Sequence, residues 1–122
     1  MTRRRVLFVD DEISILKSLA AVLRKQRDAL EMVFVSTADA AVAELEKAPF
    51  DVIVADLRMP GIDGVELLGR VATMCPSTVR ILLSGYGAAE AMAQAGLVAD
   101  ACLAKPCSVD ALVSAIATPA SR

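Results

Sequence analysis

Residues 52–64 read VIVADLRMPGIDG, a short apolar run that stops at a carboxylate and is followed by Pro-Gly and Asp-Gly pairs. Continuous apolar runs of this length are typical of strands that are buried on both faces of a parallel sheet. The pattern therefore places Asp56 at the exposed end of a buried strand, and the Asp63-Gly64 pair is interpreted as a turn. A carboxylate in the position of Asp56 can be a metal ligand, a nucleophile or a strand-end cap, and the rest of the chain has to decide among these roles.

Four further apolar runs repeat this pattern along the chain, at residues 6–9, 32–35 and 81–83 and, more weakly, at 101–104. Amphipathic helical patterns lie between and after the runs, at about 13–23, 38–45, 65–72 and 109–116, and an Ala-rich stretch at 88–95 has the weakest periodicity. Ser36 and Thr37 precede the second of these patterns and Ser108 precedes the last, and such residues are suited to cap helix starts. Five strands that alternate with five helices predict an α/β fold, a doubly wound parallel sheet with helices on both faces.

The chain length of 122 residues predicts one domain that spans residues 1–122, with a core from about 5 to 117. A net charge of −2 gives no general attraction to nucleic acid, and the basic cluster at 3–5 is interpreted as a solvated terminus. No apolar run approaches the ~20 residues that span a bilayer, and no export signal is visible. The three cysteines therefore indicate reduced thiols in the cytoplasm. The absence of histidine excludes a histidine-based metal site or catalytic triad.

The residues that leave the predicted strands point to one site. In a doubly wound sheet, sites form at the carboxyl ends of the strands, and those ends carry Asp10-Asp11-Glu12, Asp56, Ser84 and Lys105. Three carboxylates at one place repel one another unless positive charge offsets their negative charge. Mg²⁺, which prefers oxygen ligands, would supply that positive charge. Taken alone, each element has a structural alternative: an acidic helix start for Asp10-Asp11-Glu12, a turn at Ser84 and a solvated bend at Lys105. Together they form a set suited to phosphoryl chemistry, in which a carboxylate can itself attack phosphorus.

The chain resembles the receiver domains of response regulators, the phosphoacceptor half of two-component signalling, from about Val6 to Ile116. The residues that carry the resemblance are the Asp10-Asp11 pair in VDDE, Asp56 in ADLRMPGIDG, Ser84 in LSGY and the Lys105-Pro106 pair. The resemblance implies a flavodoxin-like (βα)5 fold with strand order 2-1-3-4-5. It also implies a signalling domain rather than an enzyme with turnover.

The resemblance implies a mechanism as well. Asp56 would accept a phosphoryl group from a histidine kinase or a histidine phosphotransfer protein, while Ser84 and Lys105 hold phosphoryl oxygens. The implied Mg²⁺ ligands are Asp10, Asp11, Asp56 and the backbone carbonyl of Arg58. The phosphorylated form would then present the surface formed by the predicted helix at 88–95, the fifth strand and the last helix to an effector or to a second copy of the chain.

Two positions depart from the family pattern. The family usually has an aromatic switch residue three positions before the lysine, and this chain has Cys102 there; the residue after the Lys-Pro pair is often aromatic, and here it is Cys107. We interpret both as small apolar residues rather than as redox sensors, because nothing in the sequence marks a depressed thiol pKa. We therefore expect intact phosphorylation chemistry with an altered readout. Arg58 and Tyr86 flank the site where the family tunes the lifetime of the phosphoryl group.

Two alternatives stay open at this point. A receiver-like module that acts without phosphorylation is compatible with Cys102. A phosphatase with an aspartyl-phosphate intermediate, similar to the haloacid dehalogenases, would need a second Asp two residues after the nucleophile, and that position is Arg58. A dinucleotide-binding fold is disfavoured because Asp10-Asp11-Glu12, and not a Gly-rich loop, follows the first strand.

Overall fold

The computed structural model describes residues 3–85, 93, 98–105 and 108–118. Five strands form one parallel sheet in the order β2-β1-β3-β4-β5. They are β1 (Arg4–Val9), β2 (Leu30–Val35), β3 (Val52–Asp56), β4 (Val79–Ser84) and β5 (Ala101–Ala104). The predicted fold class and strand order are confirmed.

Helices cover both faces of this sheet. They are α1 (Ile13–Val22), α2 (Ala38–Lys47), α3 (Gly64–Met74) and α4 (Val109–Ala117), with a short 3₁₀ helix at Arg24–Gln26. The helix predicted at 88–95 lies outside the described residues except for position 93, so four α-helices are described where five were predicted. None of the described helices is long and apolar enough to cross a lipid bilayer.

The two faces of the sheet bury separate apolar clusters. The cluster under α2 and α3 includes Ala41, Leu45, Leu67, Leu68 and Val71. The cluster under α1 and α4 includes Leu16, Leu112 and Ile116. β3 and β4 are buried along their whole length, which explains why their sequences are continuous apolar runs rather than alternating ones.

Side-chain caps begin three of the helices. Thr37 Oγ1 accepts a hydrogen bond from the Ala40 N–H at 3.0 Å, and Ser108 Oγ does the same for Ala111 at 3.0 Å, as predicted for these two residues. The third cap was not predicted. Asp63 Oδ1 accepts from the Glu66 N–H at 2.9 Å, and Gly64 is the first residue of α3.

The interpretation of Asp63-Gly64 as a turn is therefore wrong. The physical reason is a close backbone approach that the sequence does not display. The Gly64 N–H donates to the Leu57 carbonyl at 2.9 Å, and a Cβ on Gly64 would overlap the Asp56 carbonyl oxygen. Glycine is needed here for space at the start of α3, and not for a turn conformation.

The interpretation of the basic cluster at 3–5 as a solvated terminus holds for the exposed Arg3 but is wrong for Arg4 and Arg5. Arg4 and Arg5 belong to β1, and Arg4 Nε donates to the Ile116 carbonyl at 3.1 Å. Arg5 Nε lies 2.7 Å from Glu31 Oε2, and its guanidinium lies 4.2 Å from the ring centroid of Phe50. These contacts lengthen β1 beyond its apolar run, because polar residues with fixed partners can continue a strand.

Candidate functional site

The predicted site residues lie together at the carboxyl edge of the sheet. Asp10 follows β1, Asp56 ends β3, Ser84 ends β4 and Lys105 follows β5. The parallel register brings these strand ends to one side, and the Lys105 N–H donates to the Ser84 carbonyl at 2.6 Å. The structure therefore unites residues that lie up to 95 positions apart in the sequence.

Three carboxylates form an acidic cluster, which we define as Asp10, Asp11 and Asp56. One oxygen of each lies within 4.8 Å of the others. Asp10 and Asp56 are buried, with 2% and 6% of their surface exposed, while Asp11 is exposed. Asp10 Oδ1 also accepts from the Glu12 N–H at 3.0 Å, which fixes the orientation of its carboxylate. The cluster thus combines two buried carboxylates with one that is open to solvent.

Lys105 places one cation inside the acidic cluster. Its Nζ lies 2.6 Å from Asp56 Oδ1 and 3.1 Å from Asp10 Oδ2. The alternative of a solvated bend at Lys105 is therefore wrong. One ammonium group faces three carboxylates, so the site keeps an excess of negative charge that a divalent cation would offset.

The pKa values of the paired groups follow from this arrangement. Burial raises the pKa of the Asp56 carboxyl; the contact with Lys105 opposes that shift, and the charges of Asp10 and Asp11 add to it. Burial alone would lower the pKa of Lys105, but its contacts with Asp56 and Asp10 outweigh burial and raise it. Lys105 therefore holds its proton more tightly than a free lysine does, and Asp56 gives up its proton less readily than a free aspartic acid does.

An open groove leads from solvent to the acidic cluster. Its lining consists of Asp11, Leu57, Arg58, Met59, Pro60 and Asp63. Arg58 is exposed in this groove, two residues beyond Asp56, and any ligand role of its backbone carbonyl stays a prediction. Tyr86, Pro106 and Cys107 lie outside the described residues, and the expectations attached to them stay predictions. The groove gives an incoming anionic group access to the exposed side of the cluster.

Two further predicted residues lie at or near this edge. Ser84 is 1% exposed at the end of β4. Cys102 is a half-buried free thiol in β5 whose strand partner is Leu82, and it packs against the apolar cluster under α2 and α3. Burial raises the pKa of the Cys102 thiol, which agrees with a small apolar role and not with a reactive thiolate.

Sequence reasoning missed one residue that shapes the site. Gly64 packs its backbone against the carbonyl oxygen of Asp56, so it fixes how closely α3 approaches the end of β3. Its Asp-Gly context is equally typical of a turn, and only the packed structure distinguishes the two roles.

The model of the response regulator receiver domain family matches residues 6–117 of this chain. Among curated proteins, the response regulator protein FleR of Pseudomonas aeruginosa is 35% identical over 93% of this chain and 24% of its own length. The chain spans about a quarter or less of the length of the first curated relatives that it matches.

Two solved structures resemble the fold closely. A response regulator protein from Burkholderia pseudomallei, with a phosphorylated aspartic acid, calcium ion and citrate, is 27% identical with a TM-score of 0.82, over 97% of this chain and 69% of that one. The response regulator TrrA from Thermotoga maritima, in complex with Mg²⁺ and a beryllium fluoride, is 27% identical with a TM-score of 0.79, over 91% of this chain and 94% of that one. The likeness therefore extends over nearly the whole of this chain.

Proposed function

The chain belongs to the response regulator receiver family, the phosphoacceptor domains of two-component signalling, and on that premise we propose that Asp56 is its phosphoacceptor. One observation carries the proposal. Asp56 Oδ1 lies 2.6 Å from Lys105 Nζ, inside a cluster of three carboxylates at the mouth of an open groove. That setting gives a nucleophilic oxygen, a cation for phosphoryl oxygens and a route from solvent.

The proposed donor is a phosphohistidine on a histidine kinase or on a histidine phosphotransfer protein. A carboxylate oxygen of Asp56 attacks phosphorus in line with the P–N bond. That bond breaks, the imidazole nitrogen leaves with the bonding electron pair, and the product is an acyl phosphate on Asp56. This domain would form one acyl phosphate per chain and release it slowly by hydrolysis. It would act as a switch and not as an enzyme with turnover.

Mg²⁺ is the cation that fits the acidic cluster. Asp10, Asp11 and Asp56 offer carboxylate oxygens within 4.8 Å of one another, two of them buried and one exposed, and the Arg58 backbone carbonyl is the fourth proposed ligand. Hard oxygen donors with an open side suit Mg²⁺, which retains water and accepts phosphate oxygens. When bound, the ion would neutralise carboxylate repulsion and the charge on the transferring group.

Lys105 and Ser84 would hold the phosphoryl group after transfer. Lys105 Nζ already lies at Asp56 Oδ1, so it can exchange a carboxylate oxygen for a phosphoryl oxygen with little movement. The Ser84 hydroxyl would donate to a second phosphoryl oxygen. Because the Lys105 N–H donates to the Ser84 carbonyl at 2.6 Å, a shift at either residue is passed directly to the other.

The output would use the surface formed by residues 88–95, β5 and α4, through which an effector or a second copy binds. Cys102 of β5 takes the switch position in this proposal. Its thiol is too small to act as a rotating aromatic plug, so we propose that the shift is carried by the β4 and β5 backbones instead. The setting would be the cytoplasm, without direct contact to nucleic acid or membrane.

The test is phosphorylation by acetyl phosphate, with Mg²⁺, of the wild-type chain and of Asp56→Asn. Mass spectrometry should find one added phosphoryl group in the wild type and none in the variant. Asp63→Asn is the matched control: Asp63 lines the same groove, and asparagine caps a helix as well as aspartate does, so this variant should be phosphorylated normally. Equal labelling of wild type and Asp56→Asn would overturn the proposal.

Each of the two alternative functions predicts a result in an assay of its own. Steady hydrolysis of a phosphomonoester, many times per chain, would indicate a phosphatase. A module that works without phosphorylation would bind its partners equally well with and without beryllofluoride and Mg²⁺.

A further inference from the structure

A second groove lies between α1 and the edge strand β2, and it shares no residue with the phosphoacceptor site. Its volume is about 560 Å³, and the lining residues that matter here are Lys17, Arg24, Arg27, Leu30, Met32 and Phe34. Leu30 begins β2, so the groove reaches toward the amino edge of the sheet, away from the carboxyl edge that carries Asp56.

The floor of this groove is apolar and firmly held. Leu30 is buried, while Met32 and Phe34 are half-buried and reach the groove from the same face of β2. The Phe34 ring stacks on Phe8 of β1, with centroids 4.9 Å apart and an interplanar angle of 10°. A ligand would therefore meet a preformed apolar surface, which lowers the entropy cost of binding.

The rim of the groove carries basic side chains that form no ion pair with an acidic residue among those described. Lys17, Arg24 and Arg27 are exposed, and across the described part of the chain none of their side chains has an ion pair or a hydrogen bond. Glu31 is the one acidic residue among the lining residues, and Arg5 already pairs with it at 2.7 Å. A basic rim is therefore unneutralised on a chain whose net charge is −2.

The strand beside the groove is an edge strand. Among the residues that the structure describes, β2 pairs only with β1 and is the last strand on its side of the sheet. The outward N–H and C=O groups of an edge strand are open to a further strand, and partner peptides use such edges for main-chain hydrogen bonds.

We propose that this groove docks an extended, acidic segment of a partner protein. The segment adds as a strand to the edge of β2, packs apolar side chains on Met32 and Phe34, and directs carboxylates to Lys17, Arg24 and Arg27. Nucleic acid fits less well, because only three unpaired cations line the described groove and the chain is acidic overall. A membrane surface fits less well, because a flat bilayer does not reach an apolar floor that is recessed between a helix and a strand.

Fluorescence anisotropy with a labelled peptide tests the proposal. Repeats of Glu-Glu-Val-Val place carboxylates and apolar side chains on both faces of a strand, and the control peptide has Lys in place of every Glu. The acidic peptide should bind saturably and more weakly as salt rises, whereas the Lys peptide should not bind. Amide shifts in the NMR spectrum on binding should concentrate in β2 and α1.

Variants of the groove sharpen this test. Arg24→Glu with Arg27→Glu should weaken peptide binding by roughly tenfold or more, because two attractive charge contacts become repulsive. Met32→Ala should weaken it through the lost apolar contact. Arg70→Glu, an exposed charge reversal on α3, should leave binding within about twofold, and all variants should keep the wild-type circular dichroism and beryllofluoride response.

Three results would overturn the proposal. They are no saturable binding of the acidic peptide at low salt, equal binding of the Lys peptide, or equal affinity of the Arg24→Glu/Arg27→Glu and wild-type chains. Binding of a DNA oligonucleotide or of anionic vesicles in place of the peptide would likewise reject it in favour of a different partner. None of these results depends on phosphorylation of Asp56.

Discussion

Lys105 Nζ lies 2.6 Å from Asp56 Oδ1, although β4 separates their two strands in the sheet. The same nitrogen lies 3.1 Å from Asp10 Oδ2, so one ammonium group ties together the ends of β1, β3 and β5. The side chain of Lys105 is 22% exposed and that of Asp56 is 9% exposed, so solvent screens this contact only in part. Lys105 is thus the internal counter-ion of a site that we propose for Mg²⁺, and the two cations compete for the same oxygens.

Substitution of Lys105 should distinguish its role as a counter-ion in the metal-free protein from its competition with Mg²⁺. Lys105→Met keeps most of the aliphatic stem but leaves two buried carboxylates without their counter-charge, so the metal-free protein should lose about 1–3 kcal/mol of unfolding free energy. Mg²⁺ should then bind more tightly than to the wild type, because the competing ammonium is gone. Urea unfolding in EDTA and in Mg²⁺ measures both effects.

Lys47→Met is the matched control for this substitution. Lys47 Nζ lies 3.1 Å from Glu44 Oε2, but its side chain is 71% exposed, so its loss should change stability by less than about 0.5 kcal/mol and leave Mg²⁺ binding unchanged. Equal losses in the two variants, or weaker Mg²⁺ binding by Lys105→Met, would contradict the counter-ion role.

Asp56 should reduce the stability of the metal-free protein at neutral pH. Its pKa is raised above the ordinary value of 3.8, mainly by burial, so the folded chain holds this proton more tightly than the unfolded chain does. Stability therefore falls as the pH rises through the window between the unfolded and folded pKa values and stays lower above it. Asp56→Asn cannot ionise, so its melting temperature in EDTA should exceed that of the wild type at neutral pH.

The gain from Asp56→Asn should vanish on acidification. Well below pH 3.8 the carboxyl is protonated in both states of the wild type, and the two melting temperatures should converge. Added Mg²⁺ should stabilise the wild type more than the variant. A variant that melts below the wild type at neutral pH by a margin that shrinks on acidification would show instead that the charge of Asp56 stabilises the fold.

The sheet could be predicted because the centre of each strand is a continuous run of apolar residues. The runs at 6–9 and 81–83 lie inside β1 and β4, but both strands begin earlier, at Arg4 and Val79. Polar residues near those starts join the strands through particular contacts: in β4, Arg80 Nε donates to the Val98 carbonyl at 2.6 Å. Such tertiary contacts leave no periodic pattern, so strand ends are harder to predict than strand centres.

The acidic cluster was predictable for a different reason. The carboxyl ends of parallel strands lie at one edge of the sheet. The residue types at four strand ends were therefore enough to predict that Asp10, Asp56, Ser84 and Lys105 lie together. The tightness of the site was not predictable. The contacts of Lys105 with Asp10 and Asp56 depend on packing across several elements. The close approach of Gly64 to the end of β3 depends on such packing as well.

Cys102 should be a slow nucleophile. Burial raises the pKa of its thiol, so less of it is thiolate at neutral pH than in an exposed cysteine. In a chain with Cys75→Ser and Cys107→Ser, iodoacetamide should modify Cys102 more slowly than it modifies glutathione. The same chain in urea should react like a free thiol, and reaction of the folded chain as fast as glutathione would favour redox sensing instead.

Two glycines of α3 should respond in opposite directions to alanine. A Cβ on Gly64 would overlap the Asp56 carbonyl oxygen and come within 2.8 Å of Leu82 Cδ1, so Gly64→Ala should cost about 1–3 kcal/mol through overpacking. At Gly69 the nearest atom to an added Cβ is Val98 Cγ1 at 3.9 Å, an ordinary contact. Gly69→Ala should therefore stabilise the chain by about 0.5–1 kcal/mol, the usual gain in a helix.

The same pair of variants connects packing to function. Relief of the Gly64 overlap requires α3 and the end of β3 to separate, and any shift of the end of β3 would displace Asp56 relative to Lys105. Gly64→Ala should therefore weaken beryllofluoride binding in the presence of Mg²⁺ by more than its loss of stability alone explains, while Gly69→Ala should bind like the wild type. If both variants gain stability and keep full affinity, the close approach of Gly64 to Asp56 does not position the proposed phosphoacceptor.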